Sequence, residues 1–135
     1  MPSKHRIVAD PTLTRVVRRI VRELGLTYID TRRVAVVRNL DSRSSAYARI
    51  YCVPRPISIA FGIGPLYAIE IIDRNFRSLD CESKISVLVH ELLHIPKSFS
   101  GGLVPHRSSI FSSTNIARLV KSLDLEELCK ELEYK

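Results

Sequence analysis

The sequence predicts a single α+β domain spanning residues 1–135. Three observations carry that expectation. Apolar residues recur at helical spacing near both ends of the chain and again through residues 81–95. Between Val34 and Asp73 they fall instead in short β-branched and aromatic runs bounded by Gly and Pro. No internal repeat and no linker-like stretch divides the chain, and 135 residues suffice for one hydrophobic core.

The first helix starts at Pro11, with Asp10 suited to cap it and Gly25 to the left-handed position beyond its end. Leu13, Val16, Val17, Ile20, Val21 and Leu24 form its apolar stripe. Strands are expected at residues 34–38, 48–51, 57–61 and 67–73, with Gly62, Gly64 and Pro65 turning the last two into a hairpin-like pair. Pro54 and Pro56 mark the stretch before Ile57 as an extended loop or sheet edge. Asp80 caps the next helix, Glu82 favours its N-terminal dipole, and Pro96 ends it directly after His94 and Ile95. A Ser- and Gly-containing loop at 97–105 leads to a last helical region beginning near Ser112 or Ser113. There Ile116, Leu119, Val120 and Leu123 share a face, and Asp124 with Glu127 resembles a capping box at which the helix breaks or restarts.

His90-Glu91-Leu92-Leu93-His94 is an H-E-x-x-H motif inside the 81–95 helix. Positions i and i+4 lie on one helix face, so both imidazoles can point at one metal ion. Ile85, Leu88, Val89, Leu92, Leu93 and Ile95 share a broad apolar arc, whereas Ser83, Val87, His90 and His94 lie opposite, with Glu91 at the edge. The helix thus has a core face and a site face. Three of the four histidines belong to this segment, the third being His106 across a loop whose Gly101 and Gly102 permit a sharp return.

Catalytic zinc takes three protein ligands and one water, and His90, His94 and His106 supply the three for a Zn2+ ion. Metal coordination lowers the pKa of such a water toward about 7, and Glu91 would accept its proton and pass it to the leaving amine. The reaction expected is hydrolysis of a peptide or protein substrate. A metzincin pattern requires Gly at 97 and His at 100, where this chain has Lys97 and Ser100. Glu126, Glu127 and His5 are the other candidates for a third ligand. Tyr47, Tyr51, Arg55 and Arg107 are candidates for stabilising the transition-state oxyanion, and Arg107, which adjoins His106, is favoured.

The stretch from Val89 to His106, reading VHELLHIPKSFSGGLVPH, resembles a metallopeptidase family of archaea and phages with the signature HELLHIP, then FSGGL, then His. Ala48-Arg49-Ile50-Tyr51, Pro54-Arg55 and Tyr67-Ala68-Ile69-Glu70-Ile71-Ile72 are similar to its sheet region, so the resemblance covers roughly residues 45–110. It implies a small zincin-like fold: a helix, a short mixed sheet, the motif helix and C-terminal helices. More distantly, the third His after H-E-x-x-H is similar to SprT-like proteases, which act on proteins crosslinked to DNA. Zincins commonly offer a sheet edge to an extended substrate, and residues 67–73 are the expected edge strand, with Glu70 and Asp73 on its solvent face.

The net charge of +7 is uneven: residues 1–60 carry 12 Lys or Arg against 4 Asp or Glu, and residues 61–135 carry 9 against 10. Arg15, Arg18, Arg19 and Arg22 share one helix face, which suggests weak contact with nucleic acid. The alternative function is therefore a basic nucleic-acid-associated module with a structural or vestigial zinc. Glu91 argues for the enzyme, because a structural site needs no carboxylate there and closes its fourth position with Cys or His. Cys52, Cys81 and Cys129 match neither a disulfide framework nor a metal motif and read as small apolar residues. No run of about 18 apolar residues exists, so no membrane partner is expected. The N-terminus lacks a signal-peptide stretch, which suggests a cytoplasmic protein.

Overall fold

The computed structural model describes residues 5–133 and has the expected α+β architecture, a four-stranded mixed sheet with six helices among those residues. The strands are β1 (Ile7–Ala9), β2 (Val34–Asn39), β3 (Ala48–Cys52) and β4 (Tyr67–Ile72), in the order β1-β2-β4-β3. The helices are α1 (Pro11–Glu23), α2 (Arg55–Phe61), α3 (Asp73–Phe76), α4 (Cys81–Leu92), α5 (Ser113–Lys121) and α6 (Leu125–Glu133). β4 runs parallel to β2, from Val34 opposite Tyr67 to Asn39 opposite Ile72, and antiparallel to β3, from Ala48 opposite Ile71 to Cys52 opposite Tyr67.

One face of this sheet carries the core. Val34, Val36, Ile50, Tyr67, Ile69 and Ile71 meet the buried stripe of α1 and Ile85, Leu88, Val89 and Leu92 of α4. Asp10 caps α1 by accepting from the Leu13 N–H at 2.9 Å, and Gly25 takes the left-handed conformation past its end. The C-terminal region breaks at Ser122–Asp124 and restarts as α6, where Asp124 accepts from the Glu127 N–H.

Several expectations are corrected. Residues 57–61 form helix α2 rather than a strand, and no hairpin follows. The period-two spacing of Ile57, Ile59 and Phe61 mimics a strand, but Pro56 lies in the first turn and Gly62 ends the helix at φ 61°. Pro54 and Pro56 thus open a helix instead of marking an extended loop. The N-terminal segment contributes β1, anchored where Asp41 accepts from the Arg6 backbone N–H at 2.8 Å. Helix α4 ends at Leu92, two residues before His94, and the next residues form a tighter 3₁₀ turn.

The strand at 67–72 is interior, flanked by β2 and β3, so the expected substrate edge is not there. Glu70 is buried, not solvent-facing; it accepts from Asn39 Nδ2 and from the Tyr51 hydroxyl, both at 3.0 Å. Asp73 leaves the strand to begin α3 and pairs with Arg38 at 2.7 Å.

Cys81 and Cys129 are joined by a disulfide, against the reading of all three cysteines as unpaired. Their separation of 48 residues leaves no local signal, and only the packing of α6 against α4 brings the Cα atoms to 5.8 Å. Cys52 is free and packs against the core. Cross-linking a loop of that length stabilises by about 4 kcal/mol in the chain-entropy description. Cys129→Ala is therefore expected to lower the denaturant midpoint of the oxidised protein markedly and leave that of the reduced protein nearly unchanged. Equal midpoints for oxidised and reduced wild type would show that the bridge contributes nothing.

Candidate metal centre

The site is built on α4. Asp80 caps the helix by accepting from the Ser83 N–H at 2.8 Å, and the buried apolar arc anchors the helix to the sheet. Ser86, Val87, His90 and Glu91 are thereby turned toward a cleft of about 740 Å³. His94 follows on the 3₁₀ turn, its N–H donating to the Glu91 carbonyl at 3.1 Å, and remains one turn below His90.

The loop that returns His106 is tied to His94 twice. The Val104 N–H donates to the His94 carbonyl at 2.7 Å, and His94 Nδ1 donates to the Val104 carbonyl at 2.6 Å. A carbonyl only accepts, so Nδ1 carries the proton and Nε2 keeps its lone pair for a metal. Gly101 and Gly102 adopt φ of 103° and 80°, values that side-chain-bearing residues rarely take, and this makes the return possible. The Tyr67 hydroxyl donates to the Gly102 carbonyl at 3.1 Å, and Phe99 packs on the Tyr67 ring at 5.5 Å. The loop is thus referenced to the central strand.

The outcome is convergence of His90, His94 and His106, with one ligand atom from each within 4.8 Å of the others. His94 Nε2 and His106 Nε2 lie 3.1 Å apart. Two nitrogens bound to one tetrahedral zinc stand roughly 3.3 Å apart, so the spacing fits an ion of that size. Burial, then the neighbouring His94 and His106, lowers the His90 pKa to about 4, and burial also lowers that of His94. Both rings are neutral near pH 7, the form that binds metal. Phe111 packs against all three imidazoles, with centroids 4.9, 4.3 and 5.6 Å from His90, His94 and His106.

Glu91 is only 7 % exposed, and burial pushes its pKa up to about 7. It lines the cleft together with His90 and His106, while Ala46, Tyr47, Ala48 and Arg49 form the wall at the sheet edge. That edge is β3, the role the sequence assigned to β4. In an antiparallel pair, residues alternate between bonding the partner strand and facing away. Tyr47 accepts from Ile72 and Val53 donates to Leu66, so Ala48 and Ile50 turn their backbone groups outward.

Of the other residues singled out from the sequence, Tyr47 lines the cleft, Tyr51 bonds to Glu70 and Arg55 opens α2. Arg107 is exposed beside His106 and outside the cleft lining. Glu126 and Glu127 pair with Lys130, and His5 lies against Asn39. Phe111 and Tyr67 escaped the sequence reading, since an aromatic residue reads as core wherever it stands. Tyr67→Phe preserves the packing but frees the Gly102 carbonyl, so metal affinity is expected to weaken roughly tenfold, as for lost supporting hydrogen bonds around ligands. Titration calorimetry of the variant checks this, and an unchanged affinity would remove Tyr67 from the loop's support.

A family model described as putative phage metallopeptidase matches residues 5–133. No curated protein and no solved structure matches the chain.

Proposed function

The chain belongs to the putative phage metallopeptidase family, and from that premise we propose that it is a zinc-dependent peptidase with Glu91 as general base. The observation that carries this reading is the convergence of three imidazoles, one with its tautomer set by Val104, beside a buried carboxylate in the same cleft. The donor set of three imidazole nitrogens suits zinc and would leave a coordination position for water or substrate. When bound, the ion supplies a Lewis acid that polarises the scissile carbonyl and acidifies the attacking water.

The chain's own groups do the rest. Glu91 accepts the proton of the attacking water and returns it to the leaving amine, so bond cleavage is balanced by proton transfer through one carboxylate. In the metal-free fold, burial raises its pKa to about 7. The outward N–H and C=O groups of Ala48 and Ile50 can pair with an extended peptide, holding its carbonyl over the site as an added strand. Tyr47, on the same wall, lines the cleft and can donate to a developing oxyanion, whereas Arg107 lies outside the lining.

The deciding experiment pairs metal analysis with hydrolysis of an unfolded protein. One zinc per chain, activity lost to a chelator and activity restored by zinc are expected. Chelator-resistant cleavage, or no zinc uptake, would sink the proposal.

The nucleic-acid-associated alternative draws on the basic α1 face. There Arg15 pairs with Glu131 at 3.3 Å, Arg19 with Glu23 at 2.7 Å, and Arg18 donates to the Val34 carbonyl. These contacts engage the arginines within the chain. Salt-sensitive DNA binding that an Arg15→Ala/Arg22→Ala variant abolishes, with zinc content unchanged, would revive that reading.

A further inference from the structure

Helix α2 is short and buries nothing. Its seven residues lie between β3 and β4, and none is buried. Helices of that length are not stable alone in water and ordinarily rely on a covered apolar face. Here the apolar residues are present but uncovered: Ile57, Ile59 and Phe61 are 45, 66 and 74 % exposed, and Ile63 and Leu66 in the return loop 36 and 40 %.

The base of this protrusion is cationic. β2 and β4 start side by side, so Arg32 and Arg33, just before β2, stand next to the return loop. Arg33 donates to the carbonyls of Ile63 and Pro65, and Arg32, Arg33, Ile63 and Leu66 line one depression. Arg55 opens the helix itself. No Asp or Glu occurs between Asp41 and Glu70 in the sequence; the nearby acid is Asp30, paired with Arg32 at 2.9 Å.

The charge and the helix geometry select the occupant. A second copy on a two-fold axis would oppose arginines to arginines. A protein groove covers one stripe of a helix, yet Ile59 lies about 200° round from Ile57, whereas Phe61 lies within about 40° of it. Apolar groups on opposite faces are both satisfied when the tip is surrounded, as it is in the acyl boundary of a lipid layer. We propose that α2 and its return loop insert into the surface of an anionic membrane, with Arg32, Arg33 and Arg55 at the phosphate level. The segment lies in the interface and does not cross it; no helix among the described residues is long and apolar enough to span a bilayer.

The test is flotation of the zinc-treated protein with vesicles of phosphatidylcholine mixed with phosphatidylglycerol, against pure phosphatidylcholine. The protein is expected to float with the mixed vesicles and much less with the neutral ones. Ile59→Ser/Phe61→Ser, at two exposed positions, should reduce partition roughly tenfold or more with melting temperature and circular dichroism unchanged. Equal flotation of wild type and variant would overturn the insertion, because binding would then be electrostatic alone. No flotation of the wild type would overturn it too, as would a solution dimer that the variant dissolves, which would identify a second copy as the occupant.

Discussion

Glu91→Gln is expected to lower peptide hydrolysis by roughly a hundred- to ten-thousandfold, the usual worth of a general base, while zinc content stays the same. The shape is kept and the proton acceptor is lost. The same substitution should stabilise the metal-free fold at alkaline pH. Glu91 has a folded pKa of about 7 against 4.5 when unfolded, because burial penalises its charged form. Its contribution is thus fully present below about pH 4.5 and is lost as pH rises through about 7. Glutamine carries no charge to desolvate, so the metal-free variant should exceed the wild type at pH 8 by on the order of 2–3 kcal/mol and match it near pH 4.5. His90 acts on the other side: with a folded pKa of about 4, it costs stability as pH falls below 6.5, equally in both proteins. Urea melts at pH 5 and pH 8, beside kinetics of the zinc-loaded forms, separate the two effects. A variant with wild-type turnover would end the general-base assignment, and a metal-free variant no more stable than the wild type at pH 8 would show that Glu91 is not desolvated.

Legibility in the sequence tracked locality. The Asp80 cap, the apolar arc and the placement of His90 and Glu91 rest on neighbours within a few residues and reappear in α4, which ends two residues before His94. His106 was legible because Gly101 and Gly102 announce a turn whose length returns the chain to His94. Helix α2 was not: Ile57, Ile59 and Phe61 carry a strand's period, and with no core contact to arbitrate, only the bracketing Pro56 and Gly62 betray the helix. Strand order is likewise invisible locally. The apolar run 67–72 suits an edge or an interior strand until β2 and β3 are known to flank it, and Glu70 looks solvent-facing until Asn39 and Tyr51 reach it from either side. Cys81 and Cys129 belong to the same class, paired by helix packing and not by spacing. Phe111 joins the site only because a 3₁₀ turn at Ser109–Phe111 swings its ring over the imidazoles.

His106→Ala and His94→Ala are expected to abolish stoichiometric zinc binding, but by different amounts. Zinc held by a full ligand set at neutral pH is worth about 10–16 kcal/mol, or roughly 3 kcal/mol for each of four ligands. Loss of His106 alone should then weaken binding by about two orders of magnitude or more. His94 does more than ligate, since its backbone carbonyl and Nδ1 both hold Val104 and, through it, the position of His106. Replacing it removes one ligand and the Nδ1 tie on a second, so the affinity loss should be larger than for His106→Ala. The two substitutions also differ in a metal-free readout. The Val104 amide should exchange faster in His94→Ala and stay protected in His106→Ala, because the latter leaves both His94 bonds intact. Competition against a chromophoric chelator gives the affinities, and hydrogen exchange gives the loop. If His106→Ala still binds one zinc tightly, the third ligand is another residue, with Glu126, Glu127 and His5 the groups to substitute next. If it loses zinc and the Val104 amide remains protected, the loop is preformed by its own hydrogen bonds and the ion is an occupant of the fold, not its organiser.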